Sequence, residues 1–266
     1  MPPRSAAITV MIQAAYKAAR GLVRDFGEVE NLQVSRKGPA DFVTAADIQA
    51  EKVLRKELSR ARPGYAMLLE EGGAVAGKTP EYRWIVDPLD GTLNFMHGLP
   101  HFCISIGLEH NGEIVAGVIY DPLRDELFHA EKGAGAYLND RRMRVSSRSN
   151  MMESVIATGM PWAGRDHHEA YLAQVALVME QTAGIRRMGS AALDLAYVAA
   201  GRYEGFWELG LKPWDIAAGL VIMREAGGYI TACDGSDINL DHGDVLAGND
   251  RIHGELKSLL AKAKTG

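Results

Sequence analysis

The sequence predicts a layered α/β protein whose first half is α+β and whose second half is α/β. Three observations carry that expectation. Two helical stretches open the chain, apolar runs joined by a strong turn signal follow, and strands then alternate with helices to the end. The composition agrees: 47% hydrophobic and 24% charged over 266 residues is enough apolar material for a substantial core, with no repeat or low-complexity tract.

Residues 6 to 25 place Ile8, Met11, Ala15, Ala18 and Leu22 on one helical stripe. Charge interrupts this stretch, so it reads as neither a signal peptide nor a membrane span. A second helix runs through "DFVTAADIQAEKVLRKELSRA", with Thr44 as N-cap and Asp47 three residues on, a variant of the capping box. "YAMLLEE" and "YRWIVD" read as short buried strands, each ending in acid. From Phe102 to Leu138 the segments "FCISIGLEH", "EIVAGVIY", "ELFHAEK" and "GAYLN" make an antiparallel meander, its first turn set by Asn111-Gly112.

The polar stretch "RRMRVSSRSNMME" then crosses to the second half, dividing the chain into residues 1–145 and 146–266. In that half, strands at "SVIATG", "GIRRMG", "EGFWEL", "YITAC" and "DVLAGN" alternate with helices from His167 to Gln181, through "SAALDLAYVAAG", through "PWDIAAGLVIMREAGG" and at the end.

A net charge of −5 and the absence of a long Lys/Arg run argue against nucleic acid as a main partner. The local basic patch at residues 141 to 148 reads as a solvated interdomain segment, with contact to a partner as the alternative. Cys103 and Cys233 lie in apolar stretches and read as buried free thiols, which fits a reducing compartment and a cytoplasmic protein without a membrane partner.

The chemistry concentrates in "WIVDPLDGTLNFMHG", residues 84 to 98. Asp87 alone would end a strand and Asp90 alone would cap a helix. Together they repel each other unless a cation lies between them. Pro88 turns the chain sharply, so both carboxylates face one side, where a hard divalent cation bridges them and backbone carbonyls add ligands. Gly91 lets the backbone approach a ligand and Thr92 opens a helix whose N-terminus suits phosphate. A purely structural calcium module would have no use for that anion site. Glu70 and Glu71 end the neighbouring strand, while Asp215 and Asp47 stand in first turns of helices, where each is also explained as a dipole-favourable or capping acid. His97 and His101 flank the motif as packing groups, because magnesium prefers oxygen.

"DPLDGTLNFMHG", the upstream "EE", "PWDIAAG" followed by "EAGG", and "DFVTAAD" together resemble the inositol monophosphatase family, in order from about Lys37 to Asn249. The resemblance implies a layered αβαβα sandwich, a lithium-sensitive magnesium-dependent phosphatase and a homodimer. It further implies that Glu70, Asp87 and the Leu89 carbonyl hold one magnesium, that Asp87, Asp90 and Asp215 hold a second, and that a third, weaker ion uses Glu70. Glu70 and Thr92 would position the metal-activated water for direct in-line attack, Asp47 would hydrogen-bond the Thr92 hydroxyl, and the Gly91 and Thr92 N–H groups would hold the phosphate.

In that family Gly189, Ser190, Ala191 and Glu208 match positions that contact sugar-alcohol hydroxyls, and a carboxylate at Glu208 is well suited to accept from them. Read without the family, Glu208 is equally an exposed acid at a strand end. "NFMHG" resembles the inositol branch rather than the nucleotide branch. Two departures stand out: Arg36 where relatives often carry Lys, although Lys37 adjoins it, and a Glu70-to-Asp87 interval shorter than in animal members. The expected substrate is a small phosphorylated polyol, myo-inositol monophosphate. The alternatives are histidinol phosphate, fructose 1,6-bisphosphate or another small monoester, or an added role binding transcription machinery or RNA.

Overall fold

Residues 4–28, 34–38, 41–161 and 168–263 are described by a computed structural model. His167 and the side chains of Arg36 and Lys37 lie outside the described residues. The elements run α1 (Ala6–Phe26), β1 (Val34–Gly38), β2 (Asp41–Thr44), α2 (Ala45–Ala61), β3 (Tyr65–Leu69), β4 (Gly73–Val75), β5 (Thr79–Asp90) and α3 (Thr92–Met96). Then follow β6 (Cys103–His110), β7 (Glu113–Asp121), β8 (Glu126–Glu131), β9 (Gly135–Leu138), β10 (Arg141–Arg142), β11 (Val155–Thr158), α4 (His168–Met179), β12 (Gly184–Arg186) and α5 (Ala191–Ala199). The chain continues through β13 (Gly205–Glu208), α6 (Pro213–Glu225), β14 (Tyr229–Thr231), β15 (Val245–Gly248) and α7 (Asp250–Ala263).

The meander is built as its turn signals require. Asn111 and Gly112 both take positive φ, 52° and 79°, the conformation of the tight turn joining β6 to β7. The full sheet has eight strands in the order β10-β9-β8-β7-β6-β5-β3-β4, and only β3 and β5 pair parallel. A second sheet, β12-β11-β13-β15-β14, joins β11 in parallel to β12 and β13. The β1–β2 hairpin and the short β4 are each too brief to leave a clear period in the sequence.

Five layers result. α1 and α2 cover one face of the large sheet, burying Ile8, Leu22, Leu54 and Leu58 against Trp84, Phe102 and Ile106. α5 and α6 fill the space between the sheets, and α4 and α7 cover the outer face of the small sheet with Tyr171, Val178, Ile252 and Leu256. The middle core takes Ile85, Ile119 and Phe128 from the first half and Leu195, Phe206 and Ile222 from the second, so one apolar cluster spans residues on both sides of position 145.

α6 lies close to the large sheet for a simple steric reason. A Cβ on Gly107 would stand 2.7 Å from the Ala217 Cβ, and one on Gly117 would stand 2.6 Å from the Ala218 carbonyl. Glycine in the strands and alanine on the helix thus bring the two backbones together. Ser105 Oγ donates to the Trp214 carbonyl at 3.1 Å, fixing the start of α6 and with it Asp215.

Candidate active site

The strand ends bring the acids together. Leu69 pairs with Val86 in the parallel β3–β5 register, which sets Glu70 beside Asp87. The β5–β6 ladder shifts register between Asp87 and Asp90, where Pro88 interrupts it, and Leu89 N–H donates to Asp87 Oδ1 at 2.8 Å. Asp215 arrives on the first turn of α6, one carboxylate oxygen accepting from Lys212 N–H at 2.7 Å. One ligand oxygen from each of Asp87, Asp90 and Asp215 lies within 4.8 Å of the others.

Such crowding has an electrostatic cost. Burial pushes the Asp87 carboxyl well above its ordinary range, and Glu70, Asp90 and Asp215 push it further. Burial raises Asp90 too, opposed by hydrogen bonds from Ser190, the Ala192 and Ala191 N–H groups and Cys103. No ion pair to Asp87 or Asp90 occurs among the described residues. Oxygen donors at this density, with repulsion left to be neutralised, fit a hard divalent cation.

Beside the acids, Gly91 takes φ 100° and ψ 32°, and a Cβ there would meet the His101 carbonyl at 3.0 Å and Phe102 Cα at 3.2 Å. Only glycine makes this corner without strain. Thr92 Oγ1 lies 3.0 Å from Asp47 Oδ1 and 3.0 Å from the Leu89 carbonyl, so its single proton serves one of them at a time. Asp47 also closes the capping box of α2, its other oxygen accepting from Thr44 N–H at 2.8 Å. The same carboxylate therefore caps a helix and orients a hydroxyl. Burial raises Asp47, while Thr44 and Thr92 hydrogen bonds pull it back.

Gly189, at φ 84°, precedes Ser190, the N-cap of α5. Ser190 is matched in sequence to a sugar-alcohol contact, but it is only 1% exposed and its Oγ donates to Asp90 Oδ2 at 2.6 Å. Ala192 N–H donates to the same oxygen at 2.8 Å. Here the Ser190 hydroxyl orients an acid. The Glu208 carboxylate lies against Gly159, where a Cβ would fall 2.0 Å from the carboxyl carbon.

Three further residues escaped the sequence reading. Asn94 Nδ2 donates to the carbonyls of His101 and Met188, both at 2.8 Å, tying α3 to the Gly189 turn. Its only signal is an amide inside an apolar helix turn. Gly159 leaves room for Glu208 through contact across the small sheet, which no local pattern encodes. Asp194, 1% exposed, has no partner for Oδ1 among the described residues, and burial, then Glu208 and Asp90, hold its carboxyl well up. His101 is a packing residue, 5% exposed against Tyr197, with neither ring nitrogen partnered among the described residues.

Residues 4–265 match the model of the inositol monophosphatase family. The chain belongs to that family. Its members are metal-dependent phosphoric monoester hydrolases, and this chain is a phosphatase. It is 58% identical over 259 residues to an inositol-1-monophosphatase of Mesorhizobium japonicum, covering 97% of each chain. It is also 42% identical to a Xylella fastidiosa protein called Nus factor SuhB, covering 98% of this chain and 96% of the relative. Among solved structures, the extragenic suppressor protein suhB from Bartonella henselae superposes with a TM-score of 0.95 at 55% identity, covering 97% of this chain and 99% of the other. No helix among the described residues of this phosphatase is long and apolar enough to cross a membrane.

Proposed function

We propose that the enzyme hydrolyses myo-inositol monophosphate to inositol and phosphate with magnesium. The observation that carries the metal is the convergence of Asp87, Asp90 and Asp215 within 4.8 Å beside the Gly91 corner. Glu70, Asp87 and the Leu89 carbonyl would hold one ion, Asp87, Asp90 and Asp215 a second, and Glu70 a third, weaker one. Bound magnesium supplies Lewis-acid polarisation of the phosphoryl group and makes water a stronger acid near neutral pH.

The chain's own groups do the rest. The Gly91 and Thr92 N–H groups bind phosphoryl oxygens at a corner kept open by the missing Cβ. Thr92 Oγ1 and Glu70 orient the attacking water in line with the leaving oxygen. The Thr92 proton passes to Asp47 Oδ1, 3.0 Å away, as the hydroxyl accepts from water. Glu208 accepts hydrogen bonds from the substrate's hydroxyls, with Gly189 and Ala191 completing the wall. Because water attacks directly, no phosphoenzyme forms.

The name of the Mesorhizobium relative supports the inositol substrate. Both cysteines are buried free thiols, which supports a cytoplasmic setting, and the family supports a homodimer. Phosphate release with magnesium from inositol 1-phosphate, histidinol phosphate and fructose 1,6-bisphosphate tests the reading. Preference for inositol 1-phosphate, suppressed by lithium, is expected; preference for either other ester moves the substrate and keeps the mechanism.

A further inference from the structure

Outside the active site, basic side chains gather at one place. A cavity of about 650 Å³ is lined by Arg142, Arg144, Arg148 and Arg251, with Glu225 and Asp250 as its only acids. In a chain of net charge −5 the lining itself sets four cations against two acids. It lies at the far end of α6 from Asp215: its floor is Ala226 and Gly227, roughly 16 Å along the helix at 1.5 Å per residue.

The wall is built, not loose. Met143 is 8% exposed and turned into the core, so its neighbours Arg142 and Arg144 face outward together. Val145 N–H donates to the Ala226 carbonyl at 3.2 Å. Asn249 Nδ2 donates to the carbonyls of Ser146 and Arg148 at 3.0 and 2.8 Å, clamping the crossing segment to the start of α7. A ligand entering here does not have to order the backbone that holds the arginines.

The charges are also available. Glu225 spends both carboxylate oxygens on the Gly133 and Gly135 N–H groups, at 2.8 and 2.7 Å. Arg148 pairs with Glu204 at 3.1 Å yet stays 60% exposed, and Arg251 pairs within its own helix with Glu255. Among the described residues, Arg142 and Arg144 enter no ion pair. Guanidinium groups in such numbers match phosphate oxygens by paired N–H donation.

We infer that this cavity binds a compact polyphosphorylated small molecule at a site separate from the catalytic acids. Four arginines gathered around one open pocket, not spaced along a track, suit a compact ligand better than a strand of nucleic acid.

The test uses the magnesium-loaded enzyme and the fluorescent anion pyrene tetrasulfonate, whose sulfonates leave the magnesium in place, read by anisotropy. Saturable binding is expected, weakened by about tenfold or more in the R142Q/R144Q double variant at an unchanged melting temperature. Binding should persist in Asp90→Asn. Equal affinity in R142Q/R144Q, loss of binding in Asp90→Asn, or no binding at all would overturn the site. Displacement of the probe by inositol hexakisphosphate, but not by single-stranded RNA at equal total phosphate, supports the ligand class; displacement by RNA alone overturns it.

Discussion

Ser190 Oγ donates to Asp90 Oδ2 at 2.6 Å, joining positions 100 residues apart in the chain. With Ala192 N–H it holds Asp90 from the start of α5, so α5 sets the direction in which Asp90 presents its charge. Ser190→Ala leaves the Ala192 bond and removes the hydroxyl. The expected result is an intact fold and a magnesium requirement raised roughly tenfold, the worth of about one charge-assisted hydrogen bond. A magnesium titration of activity reads it; an unchanged half-saturation contradicts the positioning role.

Gly117 bears on Asp215 at a distance. Gly117→Ala puts a Cβ 2.6 Å from the Ala218 carbonyl, and backbone at that range cannot swing aside. α6 must move, at a cost of roughly 1–3 kcal/mol by urea melts. The magnesium requirement should rise with it, because Asp215 rides on the same helix.

Glu208 and Gly159 act as one unit. Glu208→Gln is expected to change which alcohols are accepted. Gly159→Ala, which keeps the carboxylate but drives it from its place, should shift the same substrate panel in the same direction. Unlike shifts would separate Glu208 from substrate recognition.

Acid sensitivity has an identifiable source in two buried histidines. Burial lowers His101 and His129 to about 4, below the ordinary 6.5. The unfolded chain takes up these protons as pH falls below about 6.5, and the folded chain resists until about 4, so stability is lost across that window. His101→Leu should reduce the difference between urea melts at pH 7 and pH 5 by roughly 1–2 kcal/mol. An identical pH dependence in the variant would exclude His101 as a source.

Much of this was legible locally. The capping box of Thr44 and Asp47, the Asn111-Gly112 turn and the Asp87–Asp90 pair each depend on a few adjacent residues, and the structure contains all three arrangements. The layered sandwich followed from strand and helix order. What stayed hidden depends on partners far away in sequence. Gly107 and Gly117 read as weak strand residues until Ala217 and Ala218 are seen against them. Nothing around Ser190 in the sequence points to Asp90, 100 residues away, as the partner of its hydroxyl. The β1–β2 hairpin is too short to impose a period.

The central claim is that Asp87, Asp90 and Asp215 are together because a divalent cation joins them, and it can be tested without turnover. The measurement is calorimetric melting of the parent and Asp90→Asn, with magnesium and in chelator. Folded-state carboxyl pKa values raised by burial, and at Asp87 further by the neighbouring acids, mean that ionised Asp87 and Asp90 cost stability at neutral pH, a cost that shrinks as pH falls through those values and is gone once pH reaches the ordinary carboxylate range. In chelator at pH 7, Asp90→Asn should therefore melt above the parent, by the equivalent of about 1 kcal/mol or more. With magnesium the order should reverse, because only the parent gains from the ion. A parent that magnesium does not stabilise, or an Asn variant that gains as much, would contradict the claim.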